Sequence, residues 1–362
     1  MSQPLEPGRF FLPGPTEVHP EVLQAQNGPM IGHRGKAIVE LLASIEEGLK
    51  PVFQTDRPVI VSASSATGLM EAGIRNGVLG GRVLSLITGA FSKRFADIAV
   101  SCGFDVDRWE VEWGTVHDPE ELATRLAAGE YDAVTLSQSE TSTGSLHDLE
   151  GIARVVNQVE GTLLLVDSVT GIGGVETLTD AWEIDYILTG SQKALALPPG
   201  LAFAAANDAI LERSKEATAK GWYFDLEMLY DQIASNQTPA TPAVSLLYAL
   251  DLQLKRINSE TIEARWKRHL DMQQRTFEWV DEMADRGLDV SIFAQEGHRS
   301  PTVTCISTDR SSEIVAEMFS RGWVIGGGYG KLKDTTIRIG HMGDHTVDEL
   351  EELLDVLTDV IA

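Results

Sequence analysis

Short apolar runs alternate with helical patterns over the first two thirds of the chain. Continuous apolar runs such as Leu163-Leu-Leu-Val166 are typical of strands that are buried on both faces. The apolar spacing predicts strands at 58–62, 83–87, 105–111, 133–136 and 163–166, and helices at 36–49, 67–79, 91–101, 118–128 and 148–159. This alternation predicts an α/β fold with a mostly parallel sheet covered by helices.

The pattern changes near residue 240. A long helical stretch over 241–286, with a break near Asn258, precedes strand patterns at 302–306 and 336–339. Thr346 and Glu349 form a capping-box pattern before a final helix. We therefore expect a large domain over 21–250 and a smaller C-terminal α+β domain over 251–362. Residues 1–20 are expected to form an N-terminal arm, and Pro and Gly make the first 35 residues an irregular segment without a helix.

Composition and charge narrow the class of protein. The 362 residues include 54 acidic and 29 basic side chains, for a formal charge of −25. A field of that sign disfavours nucleic acid and anionic membranes as partners. The two cysteines are too few for a disulfide framework, and no Cys-rich metal site is expected. Without an apolar run of about 18 residues or a signal-peptide pattern, a cytoplasmic protein is expected.

The acidic excess has two interpretations. It is either an ordinary solvated surface, which favours solubility, or an adaptation to high salt, where ions screen the repulsion between carboxylates. Melting temperature measured against KCl concentration separates the two interpretations.

Three groups of residues follow predicted strands, where an open α/β sheet binds its ligands. The segment Ser62-Ala-Ser-Ser-Ala-Thr-Gly68 brings small residues and hydroxyls to a helix N-terminus, which favours an anion. Asp167 ends a buried strand, where a carboxylate requires a positive or hydrogen-bonding partner. Lys193 is the only basic residue between Arg154 and Arg213, within an apolar segment. Desolvation would lower the pKa of such an amine and make it a nucleophile.

Each group also has a purely structural interpretation. The small-residue segment is compatible with a capped turn, Asp167 with a turn cap, and Lys193 with a surface lysine whose stem lies on apolar side chains. Together, however, an anion cradle, a buried carboxylate and a desolvated amine are the groups that pyridoxal 5'-phosphate requires.

Six motifs in order give the chain a resemblance to the class V, fold-type I aminotransferases, in the branch of alanine–glyoxylate and serine–pyruvate aminotransferases. The motifs are Pro13-Gly-Pro-Thr16, Gly32-His-Arg-Gly35, Glu140-Thr-Ser-Thr-Gly144, Leu165-Val-Asp-Ser168, Gly190-Ser-Gln-Lys-Ala-Leu195 with Pro198-Pro-Gly200, and Arg338-Ile-Gly-His-Met-Gly343. The resemblance extends over nearly the whole chain. It implies a large domain that binds pyridoxal phosphate, a smaller C-terminal domain and a homodimer with shared active sites.

The resemblance also implies roles for individual residues. Lys193 corresponds to the lysine that bonds to the cofactor, and Asp167 to the partner of its pyridine nitrogen. Arg338 corresponds to the arginine that binds the substrate carboxylate. The other residues implied to bind the cofactor are Ser65, Ala66, Thr67, Phe91, Thr141, Gln192 and Thr241, the last of these reaching the phosphate of the neighbouring subunit.

The implied reaction is a transamination between a small amino acid, alanine or serine, and a 2-oxo acid, glyoxylate or pyruvate. Alternatives are a 2-aminoethylphosphonate or phosphoserine aminotransferase, a cysteine desulfurase, and a non-catalytic member that acts as a binding partner. A desulfurase requires a mobile cysteine, whereas Cys305 lies in a predicted strand, and Gln192 stands where a desulfurase usually has His.

Overall fold

The computed structural model describes residues 9–362, so the first eight residues of the expected N-terminal arm lie outside the described residues. Over the described residues, the α-helices are α1 (Pro20–Ala25), α2 (Lys36–Phe53), α3 (Ala66–Gly77), α4 (Ala90–Ser101), α5 (Pro119–Ala128), α6 (Leu149–Val156), α7 (Asp208–Glu216), α8 (Leu226–Ala234), α9 (Val244–Glu260), α10 (Ile262–Asp285), α11 (Ser311–Ser320) and α12 (Val347–Ile361). None of these helices has the length and apolar character that crossing a membrane requires.

The strands form two larger sheets and a short hairpin. In chain order they are β1 (Arg9–Phe11), β2 (Val59–Ser62), β3 (Arg82–Ile87), β4 (Asp105–Glu110), β5 (Ala133–Ser137), β6 (Ser139–Glu140), β7 (Ser145–Leu146), β8 (Leu163–Asp167), β9 (Tyr186–Gly190), β10 (Ala202–Ala206), β11 (Ser291–Ile292), β12 (Thr304–Ser307), β13 (Trp323–Gly327) and β14 (Thr336–Ile339).

The seven-stranded sheet has the order β2-β10-β9-β8-β5-β3-β4. Its pairs are parallel except those of β10, which runs antiparallel to both β2 and β9. Strands β2, β5, β8, β9 and β10 consist entirely of buried residues, as a sheet covered on both faces requires. The predicted α/β class with a mostly parallel sheet is thereby confirmed.

The second sheet joins the two ends of the described chain. Its order is β1-β13-β14-β12-β11, and β1 pairs in parallel with β13. The prediction of an irregular segment without a helix over the first 35 residues was wrong, because β1 and α1 lie within it. Pro20 occupies the first turn of α1, where its missing N–H costs nothing, and the His19 side chain accepts the N–H of Glu21.

Two large clusters of buried apolar residues support the two sheets. The first extends around the seven-stranded sheet and includes α9, which packs against α2. The second joins β1 and the five-stranded sheet to α10, α11 and α12. Helix α9 ends at Glu260, and the next residue, Thr261, lies three residues beyond the predicted break and has φ 72°. The predicted capping box is present, since Thr346 and Glu349 exchange hydrogen bonds of 2.9 and 3.2 Å.

Candidate active site

Six strands of the seven-stranded sheet, all except β10, direct their carboxyl ends to one edge. Five of them precede the predicted site residues; they are β2, β3, β5, β8 and β9, and their last residues are Ser62, Ile87, Ser137, Asp167 and Gly190. The register aligns Ser137 with Asp167, and it aligns both Ser62 and Gly190 with the same residue of β10. The predicted cofactor residues, apart from Thr241, lie at these ends or in the following loops and helices, as expected for a ligand site in an open α/β sheet.

Lys193 lies in the loop after β9 and is only 8% exposed. Its Nζ donates a hydrogen bond to the carbonyl oxygen of Pro13. Thr16 holds the same loop, because its N–H donates to Gln192 O at 3.1 Å and its hydroxyl donates to Lys193 O at 3.1 Å. Gly14 crosses the amine so closely that a Cβ there would lie 2.7 Å from Nζ. The N-terminal segment therefore covers Lys193.

Burial, and after it the positive charge of Arg338, lowers the pKa of Lys193 to about 8. Asp167 acts in the opposite direction on this pKa, but its effect is smaller than these two. A substantial fraction of the amine is therefore neutral near pH 8, and a neutral amine is the form that attacks a carbonyl carbon.

Asp167 ends β8 with a carboxyl group held from two sides. Ser137 Oγ donates to its Oδ2 at 2.8 Å, and the N–H of Val169 donates to Oδ1 at 2.9 Å. Burial raises the pKa of Asp167 to about 6, and these two hydrogen bonds oppose the rise. No cation pairs with this carboxylate among residues 9–362, so it is suited to accept a proton-bearing ring nitrogen.

Arg338 projects from β14 of the second sheet and contacts the turn between β6 and β7. Its Nε donates to Gly327 O at 2.9 Å, and Nη1 donates to Thr141 O at 3.1 Å. In the described part of the chain, Nη2 makes no hydrogen bond and the guanidinium has no carboxylate partner. Thr141 also exchanges a 2.5 Å hydrogen bond with Thr170, which follows Asp167 in sequence. Arg338 is thus brought to the edge that holds Asp167 and Lys193.

Phe91 lies in the first turn of α4, with its ring centroid 5.9 Å from Lys193 Nζ. The ring of Tyr329 stacks on it, with centroids 5.3 Å apart and planes inclined by 26°. The Arg94 guanidinium lies 4.8 Å from the Phe91 centroid. Tyr329 was not identified from the sequence; the glycines before it, at 326–328, were the one available signal.

Glu140 is fully buried and was not assigned a role from the sequence. Its carboxylate accepts the N–H groups of Phe91 and Ser92, and the hydroxyls of Ser92 and Ser142. A carboxylate at a helix N-terminus interacts favourably with the helix dipole. Glu140 therefore fixes the first turn of α4, and with it the position of Phe91.

The small-residue turn before α3 supplies an anion cradle. Ser65 is the N-cap residue but forms no side-chain capping hydrogen bond, so the first N–H groups of the helix remain for a ligand. Gly190 lies next to the side chains of Gln192 and Ala66. A Cβ placed on Gly190 would lie 3.0 Å from Gln192 Oε1 and 3.4 Å from Ala66 Cβ. Gln192 is thus close to the turn formed by Ser65, Ala66 and Thr67.

Thr241 is exposed and precedes α9, outside the loops that follow the strands. It lines a small cavity together with Ser62 and Tyr223, next to the end of β2. The segment before it is anchored by Arg34, whose guanidinium donates to Thr238 O at 2.6 Å.

The groups at this edge of the sheet fit pyridoxal phosphate. A buried amine with a lowered pKa suits its aldehyde, a buried carboxylate without a cation suits its pyridine nitrogen, and an uncapped helix N-terminus suits its phosphate. Within residues 9–362, no group of three or more His, Cys, Asp or Glu side chains is arranged to hold a metal ion.

Comparison with known proteins identifies the class. The family described as aminotransferase class-V matches residues 18–321. A soluble hydrogenase small subunit of Synechococcus sp. is 33% identical over 92% of this chain and 88% of its own length. A serine–glyoxylate aminotransferase of Arabidopsis thaliana is 31% identical over 96% and 88%. The crystal structure of an alanine–glyoxylate aminotransferase of Nostoc sp. has a TM-score of 0.93 at 30% identity, covering 100% of this chain and 97% of that one.

The fold and the site define a fold-type I aminotransferase. The chain belongs to the class-V aminotransferase family, and the resemblance inferred from the six motifs is confirmed.

Proposed function

We propose that this enzyme uses pyridoxal phosphate to transfer an amino group between a small amino acid, alanine or serine, and a 2-oxo acid, glyoxylate or pyruvate. The observation that carries the proposal is that two buried groups lie at the same edge of the sheet. They are the Lys193 amine, whose pKa is lowered, and the Asp167 carboxylate, which forms no ion pair. Relatives named for serine–glyoxylate and alanine–glyoxylate transfer support the choice of substrates.

Lys193 and Asp167 have distinct roles in the proposed reaction. The bound cofactor supplies an aldehyde and an electron-withdrawing ring. Lys193 Nζ would hold the cofactor covalently and, when its amine is free, would accept the proton from the substrate Cα as a general base. The Asp167 carboxylate would accept a hydrogen bond from the protonated ring nitrogen and keep that proton in place.

Arg338 orients the amino acid. Nε and Nη1 are held by backbone carbonyl oxygens, which leaves Nη2 and the positive charge for the substrate carboxylate. Because two of its donors are already fixed, Arg338 loses little conformational freedom when a carboxylate binds.

The phosphate group is assigned to the turn of Ser65, Ala66 and Thr67, with Gln192 as a further contact. Phe91 would stack on the cofactor ring, and Thr141 would lie beside that ring. The exposed Thr241 is assigned to the phosphate of the neighbouring subunit, so the active enzyme is a homodimer with shared sites. Analytical ultracentrifugation should detect the dimer. Thr241→Val should weaken cofactor binding, and the variant should remain a dimer. A monomer with full activity would contradict this assignment.

Three other functions receive less support. Desulfuration requires a reactive thiol, but Cys305 is 1% exposed in β12, and burial raises the pKa of its thiol to about 11. A phosphonate or phosphoserine substrate requires further free cations. Arg34 is engaged by the carbonyl oxygens of Thr238 and Pro239, and Arg94 lies over the Phe91 ring and donates to the Tyr329 hydroxyl. A non-catalytic binding role would not require a desolvated lysine beside a buried carboxylate.

We also propose a cytoplasmic location. Both cysteines are free thiols, Cys102 partly exposed and Cys305 buried, as is usual in a reducing compartment.

A half-reaction screen tests the proposed function. Each amino acid is added to the holoenzyme, and loss of the visible absorbance of the cofactor is followed. Each 2-oxo acid is then added to the aminated enzyme, and recovery of that absorbance is followed. Alanine or serine should give the fastest loss, and glyoxylate or pyruvate the fastest recovery. Failure of every amino acid to change the absorbance would refute the proposal.

A further inference from the structure

Tyr329 occupies the mouth of the candidate site and has no role in the chemistry described above. Its side chain is 37% exposed and lies in the loop after β13. The ring contacts Phe91 on one side, and the Arg338 guanidinium lies 5.6 Å from its centroid. The phenol therefore lies between the residue proposed to stack on the cofactor and the residue proposed to bind the substrate carboxylate.

Three interactions hold the ring in this position. Arg94 Nη2 donates to the Tyr329 hydroxyl at 3.3 Å. The stacking contact with Phe91 and the cation–π contact with Arg338 complete the set. Neither Arg94 nor Arg338 pairs with a carboxylate among residues 9–362, although the chain has 54 acidic residues. Both arginines therefore have Tyr329 as a partner: Arg338 contacts its ring, and Arg94 donates to its hydroxyl.

The backbone around Tyr329 leaves little freedom to move the ring. Gly328 approaches the next turn so closely that a Cβ there would lie 1.9 Å from Leu332 O. Gly330 has φ +59°, and the N–H of Leu332 donates to Tyr329 O at 3.1 Å. The loop is therefore a tight turn with a defined direction for the side chain.

From this arrangement we infer that Tyr329 sets the upper size limit for the side chain of the amino donor. The inference rests on the proposed function, because it places the substrate carboxylate on Arg338. The Cα of such a substrate is one bond from that carboxylate and carries the side chain into the space that the phenol borders. A fixed aromatic ring there excludes long or branched side chains and admits those of alanine and serine.

The test compares donors of increasing size. Second-order rate constants for loss of the cofactor absorbance are measured with alanine, serine, leucine and phenylalanine. Tyr329→Ala should raise the ratio of the leucine rate constant to the alanine rate constant by about tenfold or more. Differences of a few methylenes change rates by this factor in an apolar pocket. Tyr329→Phe keeps the ring and should leave the ratio within about threefold of the wild-type value. Phe319→Ala, at an exposed position on α11 remote from the site, is the matched control.

A binding measurement separates the size limit from effects on the chemical step. Calorimetry on the holoenzyme should show that Tyr329→Ala binds 4-methylpentanoate more tightly relative to acetate than the wild type does. Tyr329→Leu gives a second test if the alanine variant does not fold. An unchanged leucine-to-alanine ratio, or an unchanged preference between the two carboxylates, would overturn the inference. A wild-type enzyme that responds to no donor would instead refute the proposed function.

Discussion

The hydroxyl of Ser137 donates a 2.8 Å hydrogen bond to Oδ2 of Asp167, and the two residues face each other at the ends of β5 and β8. Two neighbouring parallel strands therefore end in a donor and an acceptor. The bond keeps the Asp167 carboxylate in one orientation and opposes the rise in pKa that burial causes.

Asp167 should destabilise the apo-protein at neutral pH. Its pKa in the fold is about 6, compared with 3.8 for the free group. The folded state therefore binds the proton more tightly, and stability falls as pH rises from about 4 to 6. The shift corresponds to about 3 kcal/mol above that window. Apo Asp167→Asn should thus melt at a higher temperature than wild type at pH 8, and the difference should vanish at pH 4. A less stable variant at pH 8 would show that the carboxylate is not desolvated.

The same substitution should reduce activity. An asparagine amide carries no negative charge to hold the proton on the ring nitrogen, so kcat of Asp167→Asn should fall by at least about 100-fold. Ser137→Ala should give a smaller loss, together with a higher pKa for Asp167, because one hydrogen bond to the carboxylate is missing. Steady-state kinetics over pH 5–9 measure both effects, and a wild-type kcat in Asp167→Asn would contradict the assigned role.

Lys193 should react with aldehydes at lower pH than an ordinary lysine. With a pKa of about 8, roughly one amine in ten is neutral at pH 7. The rate at which the apo-protein takes up pyridoxal phosphate should rise with pH and level off above about 8. Stopped-flow absorbance measures this rate. An inflection near the ordinary lysine value of 10.5 would mean that Lys193 is solvated.

Arg338 should control substrate affinity more than cofactor affinity. Arg338→Met removes the charge and the free Nη2 donor, so KM for alanine or serine should rise by about 100-fold, as expected for a hydrogen bond between charged groups. Arg338→Lys keeps the charge but not the planar guanidinium and should give an intermediate KM. The absorbance of the bound cofactor should stay at its wild-type wavelength and intensity in both variants. A wild-type KM in Arg338→Met would assign the substrate carboxylate to another residue.

The acidic surface predicts a response to salt if it is an adaptation to high ionic strength. The chain has 54 acidic and 29 basic residues, so its carboxylates repel one another. Salt screens this repulsion, and the melting temperature should then rise as KCl increases toward molar concentration. A melting temperature that does not change with KCl would favour the alternative of an ordinary solvated surface.

Much of the α/β architecture could be predicted because its signals are local. Leu163–Asp167 has a continuous apolar run, and Asp167 and Lys193 are conspicuous as isolated charges in apolar segments. The strand β10 was missed because Ala202–Ala206 contains four alanines, which have low strand propensity. Its pairing with β2 and β9 on both sides overrides that propensity.

Other features depend on residues that are far apart in the sequence. Strand β1 pairs with β13 across more than 300 residues, and no periodicity in Arg9–Phe11 indicates its partner. Glu140 and Tyr329 each act on Phe91, from different elements of the fold. Their roles follow from tertiary contacts, which a pattern of single positions does not contain.

The most direct test of the central claim locates the lysine that bonds to the cofactor. The holoenzyme is reduced with borohydride, which makes the lysine–cofactor bond permanent, and is then digested and analysed by mass spectrometry. Lys193→Ala and the distant exposed Lys215→Ala are treated in parallel. We predict cofactor mass on the Lys193 peptide in wild type and Lys215→Ala, with neither adduct nor visible absorbance in Lys193→Ala. An adduct on any other lysine in the wild-type enzyme would contradict the assignment of Lys193.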